Sequence, residues 1–175
     1  CLPPILLILV LVMLPGCSEI NKQLVDNDVV ENTSLKDTST FQQVVAKLDT
    51  PQATYDWMSR NLSYKADNTP ADEYRAPEET FALRYGDCDD YARFAAYVLK
   101  QHGYDTSVIS VFTTERGHCV CVWKDKSNKL NYLSNSSIKN ISAKNLNDVA
   151  ADVYADWQVY SIYPSNVGVT RPAEP

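Results

Sequence analysis

The chain has 175 residues, 45% of them apolar, 22% charged and 10% aromatic, with a formal charge of −6. That length holds one domain and a tail, and the apolar share is too high for a disordered chain. The acidic balance argues against a nucleic-acid partner, whose footprint is a basic patch. Five glycines, with no GxxxxGK[ST] or GxGxxG string, leave no phosphate-cradling loop, which argues against a nucleotide. Two histidines are too few for most His-built metal sites, and nothing in the composition calls for a cofactor.

Residues 5–14 (ILLILVLVML) form an unbroken apolar run. The run falls short of the roughly 18 residues that span a bilayer and fits the apolar centre of a signal peptide. Leu14-Pro15-Gly16-Cys17 follows at once. It resembles a bacterial lipobox, in which the cysteine is acylated and the segment before it removed, although Pro15 is an unusual occupant. This reading makes 1–16 a signal peptide, Cys17 the lipidation site and 17–37 a polar spacer. The domain then occupies 38–164, and 165–175 is a loose tail. The expected location is the cell envelope, with the membrane reached through the lipid, because an acidic chain does not by itself bind anionic lipid.

Phe41, Val44, Val45 and Leu48 have helical spacing. Thr50-Pro51 supplies a cap and a first-turn proline for a second helix, carrying Tyr55, Trp57, Met58 and Leu62 and ending near Asn61. Residues 65–79 read as a charged surface loop, with a short helix from Ala76 to Arg84. The strongest helix follows Gly86: Tyr91, Phe94, Ala95, Val98 and Leu99 form its apolar face, and Asp89, Asp90, Arg93 and Lys100 are placed opposite. His102-Gly103 closes it. The period then switches to two, with strands at 107–112, 118–123, 130–133 and 157–163, a polar hairpin at 124–129 and a short helix near 143–149. Helices first and strands afterwards is the α+β order, an antiparallel sheet with N-terminal helices packed on it.

With Cys1 in the signal and Cys17 acylated, the domain keeps Cys88, Cys119 and Cys121. Cys119 and Cys121 share one strand face at roughly 6.5 to 7 Å between Cα atoms, the edge of disulfide reach, and read as small core residues. Cys88 lies in the first turn of the long helix, where unsatisfied N–H groups and the helix dipole favour thiolate. His118 opens a strand, and each of the two has a glycine (Gly86, Gly117) one or two residues before it. Packing that helix on the sheet brings thiol and imidazole together, a pair suited to covalent catalysis. Two features weigh against it: Asp87, Asp89 and Asp90 surround the thiol, and a lone cysteine or histidine is commonly structural. A zinc set of Cys88, His118, Cys119 and Cys121 is disfavoured because His118 and Cys119 point to opposite strand faces.

The strings RYGDCDDYARFAAYVLKQHGYDTSVISVF and GHCVCVWKDKSNKLNYLSN resemble the core of the bacterial transglutaminase-like superfamily, within the papain-like cysteine fold. TPQATYDWMSRNLSY looks like that family's leading helix. The resemblance covers roughly residues 50–136 and implies Cys88 as nucleophile and His118 as base. The family's third position usually holds aspartate, whereas this chain has Tyr132-Leu133-Ser134-Asn135. Asn135 is preferred over Ser134 for reach and polarity, since asparagine orients the imidazole in papain-like triads. The expected function is an exported thiol enzyme acting on amide bonds of a protein or peptide through an acyl-enzyme. Hydrolysis is preferred to transamidation, which the residues leave open. A non-catalytic binding module on the same fold is the alternative, and a general surface-adhesion lipoprotein a weaker third.

Overall fold

The computed structural model describes residues 39–67, 75–135 and 137–164. The signal peptide, Cys17, the spacer and the tail therefore lie outside the described residues. No helix among those described is long and apolar enough to cross a membrane.

Each early helix begins where the sequence offers a cap. Thr40 and Gln43 form a reciprocal capping box at the start of α1 (Phe41–Lys47). Thr50 accepts from the Ala53 N–H, and Pro51 opens α2 (Pro51–Asn61). A two-residue strand β1 (Ser63–Tyr64), helix α3 (Pro77–Leu83) and strand β2 (Tyr85–Gly86) then lead into α4 (Cys88–Gln101). β1 and β2 pair in parallel, Tyr64 opposite Gly86, which ties the end of the α2 segment to the chain just before Cys88. α4 stops in a Schellman motif: Tyr104 N–H reaches Leu99 C=O, Gly103 N–H reaches Lys100 C=O, and Gly103 has φ +81°.

The strands β3 (Thr106–Phe112), β4 (Gly117–Lys124), β5 (Leu130–Ser134), β6 (Ser137–Ala143) and β7 (Val159–Pro164) make one antiparallel sheet in the order β6-β5-β4-β3-β7. The α+β order expected from the sequence is the one observed. Helix α5 (Leu146–Val153) intervenes before β7 and starts at Asn145, later than the expected 143. β6 was not foreseen as a strand.

The sheet is covered on both faces, and this dictates what the strands bury. Val108, Cys119, Cys121, Trp123 and Leu133 pack with Phe41, Trp57, Phe94 and Leu99 of the N-terminal helices. Ile109, Val111, Val120, Val122 and Tyr132 pack with Val149 and Ala150 of α5. Alternate residues of β3 and β4 thus enter opposite cores, which is why both strands read as nearly continuous apolar runs. On the helical side Trp57 stacks on Phe94 at 5.2 Å and on Phe81 at 5.6 Å, with the Arg84 guanidinium 5.0 Å above it. Each large side chain fully buried there stabilises the fold by roughly 1.5–3 kcal/mol.

One expectation about α4 is corrected. Asp89 and Asp90 do not face solvent; both are buried, Asp90 completely. α4 is the central helix, touching α2, α3, β3 and β4, and this packing buries Asp89 and Asp90 in its first turn.

Candidate active site

The start of α4 is built by three carboxylates, each given a task. Asp87 is the N-cap and accepts from the Asp89 N–H at 3.2 Å. Asp90 reaches back to the Asp87 N–H at 3.3 Å and forms an ion pair with Arg75, which also holds Asp67 at 2.9 Å. Asp89 pairs with Arg93 at 3.4 Å. Burial pushes the Asp90 carboxyl up, against the pull of Arg75. The acidic surroundings that weighed against a Cys88 thiolate are therefore largely matched by cations and N–H groups. Asp87, Asp89 and Asp90 also offer ligand atoms within 4.8 Å of one another, the one such cluster among the described residues. All three carboxylates are committed to capping or ion pairing.

Cys88, at the first position of α4, and His118, second in β4, border one cavity of about 220 Å³. Asp89 and Arg93 of α4, Ser110 and Phe112 of β3, and Tyr163 of β7 complete much of its wall. α4 carries Cys88 and β4 carries His118 to this one cavity, with Cys88 packed against the helical core.

His118 is positioned from two sides. Its Nε2 lies 2.8 Å from the Ser134 hydroxyl oxygen, and its ring lies 6.4 Å from that of Tyr154, beyond the end of α5. In the tautomer whose Nε2–H donates to the Ser134 hydroxyl oxygen, Nδ1 is the nitrogen left to accept a proton. Burial lowers the imidazole below its ordinary value, so the neutral, basic form is favoured near neutral pH.

The third position is a correction. Ser134, not Asn135, reaches His118. β5 pairs with β4 so that Leu133 lies opposite Cys121, which puts Ser134 on the His118 face of the sheet and turns Asn135 away. Asn135 instead lines a separate cavity with Tyr55, Ser59, Leu62, Tyr64 and Tyr91. Strand alternation, which the sequence carries, decides the third position over side-chain length.

Cys119 and Cys121 occupy the helical core on the face opposite His118. Cys119 lies 2.8 Å from the Ser110 hydroxyl, and burial pushes its thiol up to about 12; burial raises Cys121 as well. His102 caps α4 and shares a hydrogen bond of 2.7 Å with the Val45 carbonyl, a structural role. Tyr64 was quoted only as part of the leading-helix string. Its phenol is pushed up by burial and then by the neighbouring Cys88 thiol and Asp87 carboxylate, which puts it beside Cys88.

The model of the transglutaminase-like superfamily matches residues 36–159. Among solved structures, Legionella pneumophila LapG in its calcium-bound form aligns with a TM-score of 0.50 at 15% identity, covering 66% of this chain and 67% of that one. The EGTA-treated form of LapG gives the same score and identity, covering 66% of each. A Cytophaga hutchinsonii structure assigned to a cysteine protease aligns at 0.47 and 13% identity, over 70% of this chain and 47% of that one. No curated protein matches the chain.

Proposed function

The chain belongs to the transglutaminase-like superfamily, with its papain-like α+β fold, and from that premise we propose that it is a thiol enzyme acting on amide bonds of a protein or peptide. The observation that carries this reading is one cavity bordered by Cys88 at a helix start and by a half-buried His118 held through Nε2. In the proposed reaction Nδ1 of His118 takes the Cys88 proton as sulfur attacks the carbonyl carbon. Negative charge on the carbonyl oxygen is met by the Cys88 backbone N–H at the positive end of α4. The imidazolium then protonates the departing amine, leaving a thioester on Cys88. Water attacking that thioester gives hydrolysis, and an amine gives transamidation. Hydrolysis is the preferred outcome because water is the more abundant acceptor.

Ser134 in place of a carboxylate favours, as a second reading, a binding module that keeps the fold without the reaction. One experiment separates the two. The full chain is alkylated with iodoacetamide between pH 4 and 10, and each cysteine is quantified by mass spectrometry. A thiol enzyme labels at Cys88 well below pH 8 and loses that on His118→Ala, while Cys119 and Cys121 stay silent. Labelling of Cys88 that is slow at neutral pH and indifferent to His118→Ala selects the binding module.

The reading extends to location. The lipobox-like Leu14–Cys17 string supports export and acylation of Cys17, with the enzyme held at the cell envelope.

A further inference from the structure

A second cavity, of about 420 Å³, shares no lining residue with the one that Cys88 and His118 border. Its walls are nevertheless the immediate neighbours of both. Tyr64 lies in register with Gly86, two residues before Cys88, and its phenol interacts electrostatically with the thiol. Tyr91 stands one helical turn after Cys88 on α4. Asn135 follows Ser134, the residue that bonds His118.

The lining chemistry is narrow. Tyr55, Tyr64, Tyr91, Leu62 and Ser59 carry no charge, and the remaining member is Asn135, whose Oδ1 is buried without a hydrogen-bond partner among the described residues. Buried acceptors are nearly always paired, so an unpaired one on a residue that lines the cavity marks a place for a donor. Tyrosine walls favour a planar ring at offset or edge-on geometry. The cavity admits an indole or a phenol whole, and its tyrosine walls favour such a ring over a smaller carboxamide.

We propose that this cavity is a substrate subsite taking an aromatic side chain that carries an N–H or O–H donor, tryptophan or tyrosine, at a residue flanking the amide bond attacked by Cys88. The proposal rests on the thiol-enzyme reading above. A peptide would then lie across the start of α4, one part in the Cys88–His118 cavity and its aromatic residue among the three tyrosines.

The test uses the full chain and peptidyl chloromethyl ketones, which alkylate a reactive thiol without needing a known substrate. Two series place tryptophan, 1-naphthylalanine or alanine either next to the warhead or one residue before it. Every Cys88 alkylation rate is divided by the iodoacetamide rate of the same variant. In at least one series tryptophan should exceed alanine by about tenfold or more, with naphthylalanine, which has the ring but no N–H, between them. Asn135→Leu should merge tryptophan with naphthylalanine. Ser59→Trp, from an exposed position on α2, should fill the mouth and flatten the panel even if the Asn135 variant does not fold. Equal rates in both series with a reactive Cys88, or a preference that survives Ser59→Trp, overturn the subsite. A Cys88 that iodoacetamide labels no faster than Cys119 overturns the thiol-enzyme reading and the subsite with it.

Discussion

His118 is held by a hydroxyl where a carboxylate would also supply charge, and this sets when it can act. Burial lowers the folded imidazole below 6.5, and Ser134 does nothing to raise it. The base is neutral over most of the physiological range, so the acid limb of an activity profile should lie below pH 6.5. The unfolded chain takes up that proton first, so stability should fall as pH drops through 6.5 and keep falling until the folded value is passed. Ser134→Asp places an anion beside the ring and should raise the imidazole by about one pH unit, moving the acid limb upward with it. A proton NMR titration of the imidazole reads this directly, and an unmoved His118 would mean that residue 134 does not face the ring. Ser134→Ala should cost about tenfold in rate, the scale of one neutral hydrogen bond. Asn135→Ala, by contrast, should leave the His118 titration where it is.

Gly86 shows how the α4 segment constrains its own approach. A Cβ there would sit 2.5 Å from the Asp90 Cβ and 2.6 Å from a carboxylate oxygen, so the space a side chain would need is already filled by the first turn of α4. The structure gives that room to Asp90. Gly86→Ala should force Asp90 off Arg75 and destabilise the domain by about 2–3 kcal/mol, lowering Tm by roughly 5–10 °C in a calorimetric scan. An unchanged Tm would mean that Asp90 has somewhere else to go. The same contrast runs through the other elements. Caps and periodicity made α1, α2 and α4 legible, because Thr40, Thr50 and Gly103 act through their own neighbours. β6 was not legible. Its isoleucines, Ile138 and Ile141, stand three apart because the strand carries two extra residues opposite Leu130–Tyr132. The Asn131 side chain fills the irregularity by accepting the Ser142 N–H at 3.0 Å, with Ser142 at φ 52°. A strand irregularity stabilised by a residue of the next strand leaves no period of two to find.

At the scale of the whole chain, the order helices then sheet locates the chemistry before any side chain is considered. α4 must pack on the sheet that follows it, so its start meets one end of β4, and a cysteine and a histidine at those two positions are brought to a common cavity. What composition could not supply is the second layer. α5 covers the far face through Val149 and Ala150, and Asp152, on its last turn, accepts the Tyr132 hydroxyl at 2.7 Å. That face also carries His118 and Ser134, and the His118 ring lies 6.4 Å from that of Tyr154, the residue that follows α5. The proposed tether makes the last prediction, for it turns such an enzyme into one confined to a surface. Expressed with residues 1–37 in a bacterial host that processes lipoproteins, the chain should partition into the detergent phase and begin at an acylated Cys17. Cys17→Ser should remove the acyl mass and leave the leader attached, while Cys88 labels at the same rate in both forms, because Cys17 lies outside the domain that carries Cys88. An aqueous, unmodified wild-type chain would remove the lipid from the proposal and leave the thiol chemistry to be judged on Cys88 and His118 alone.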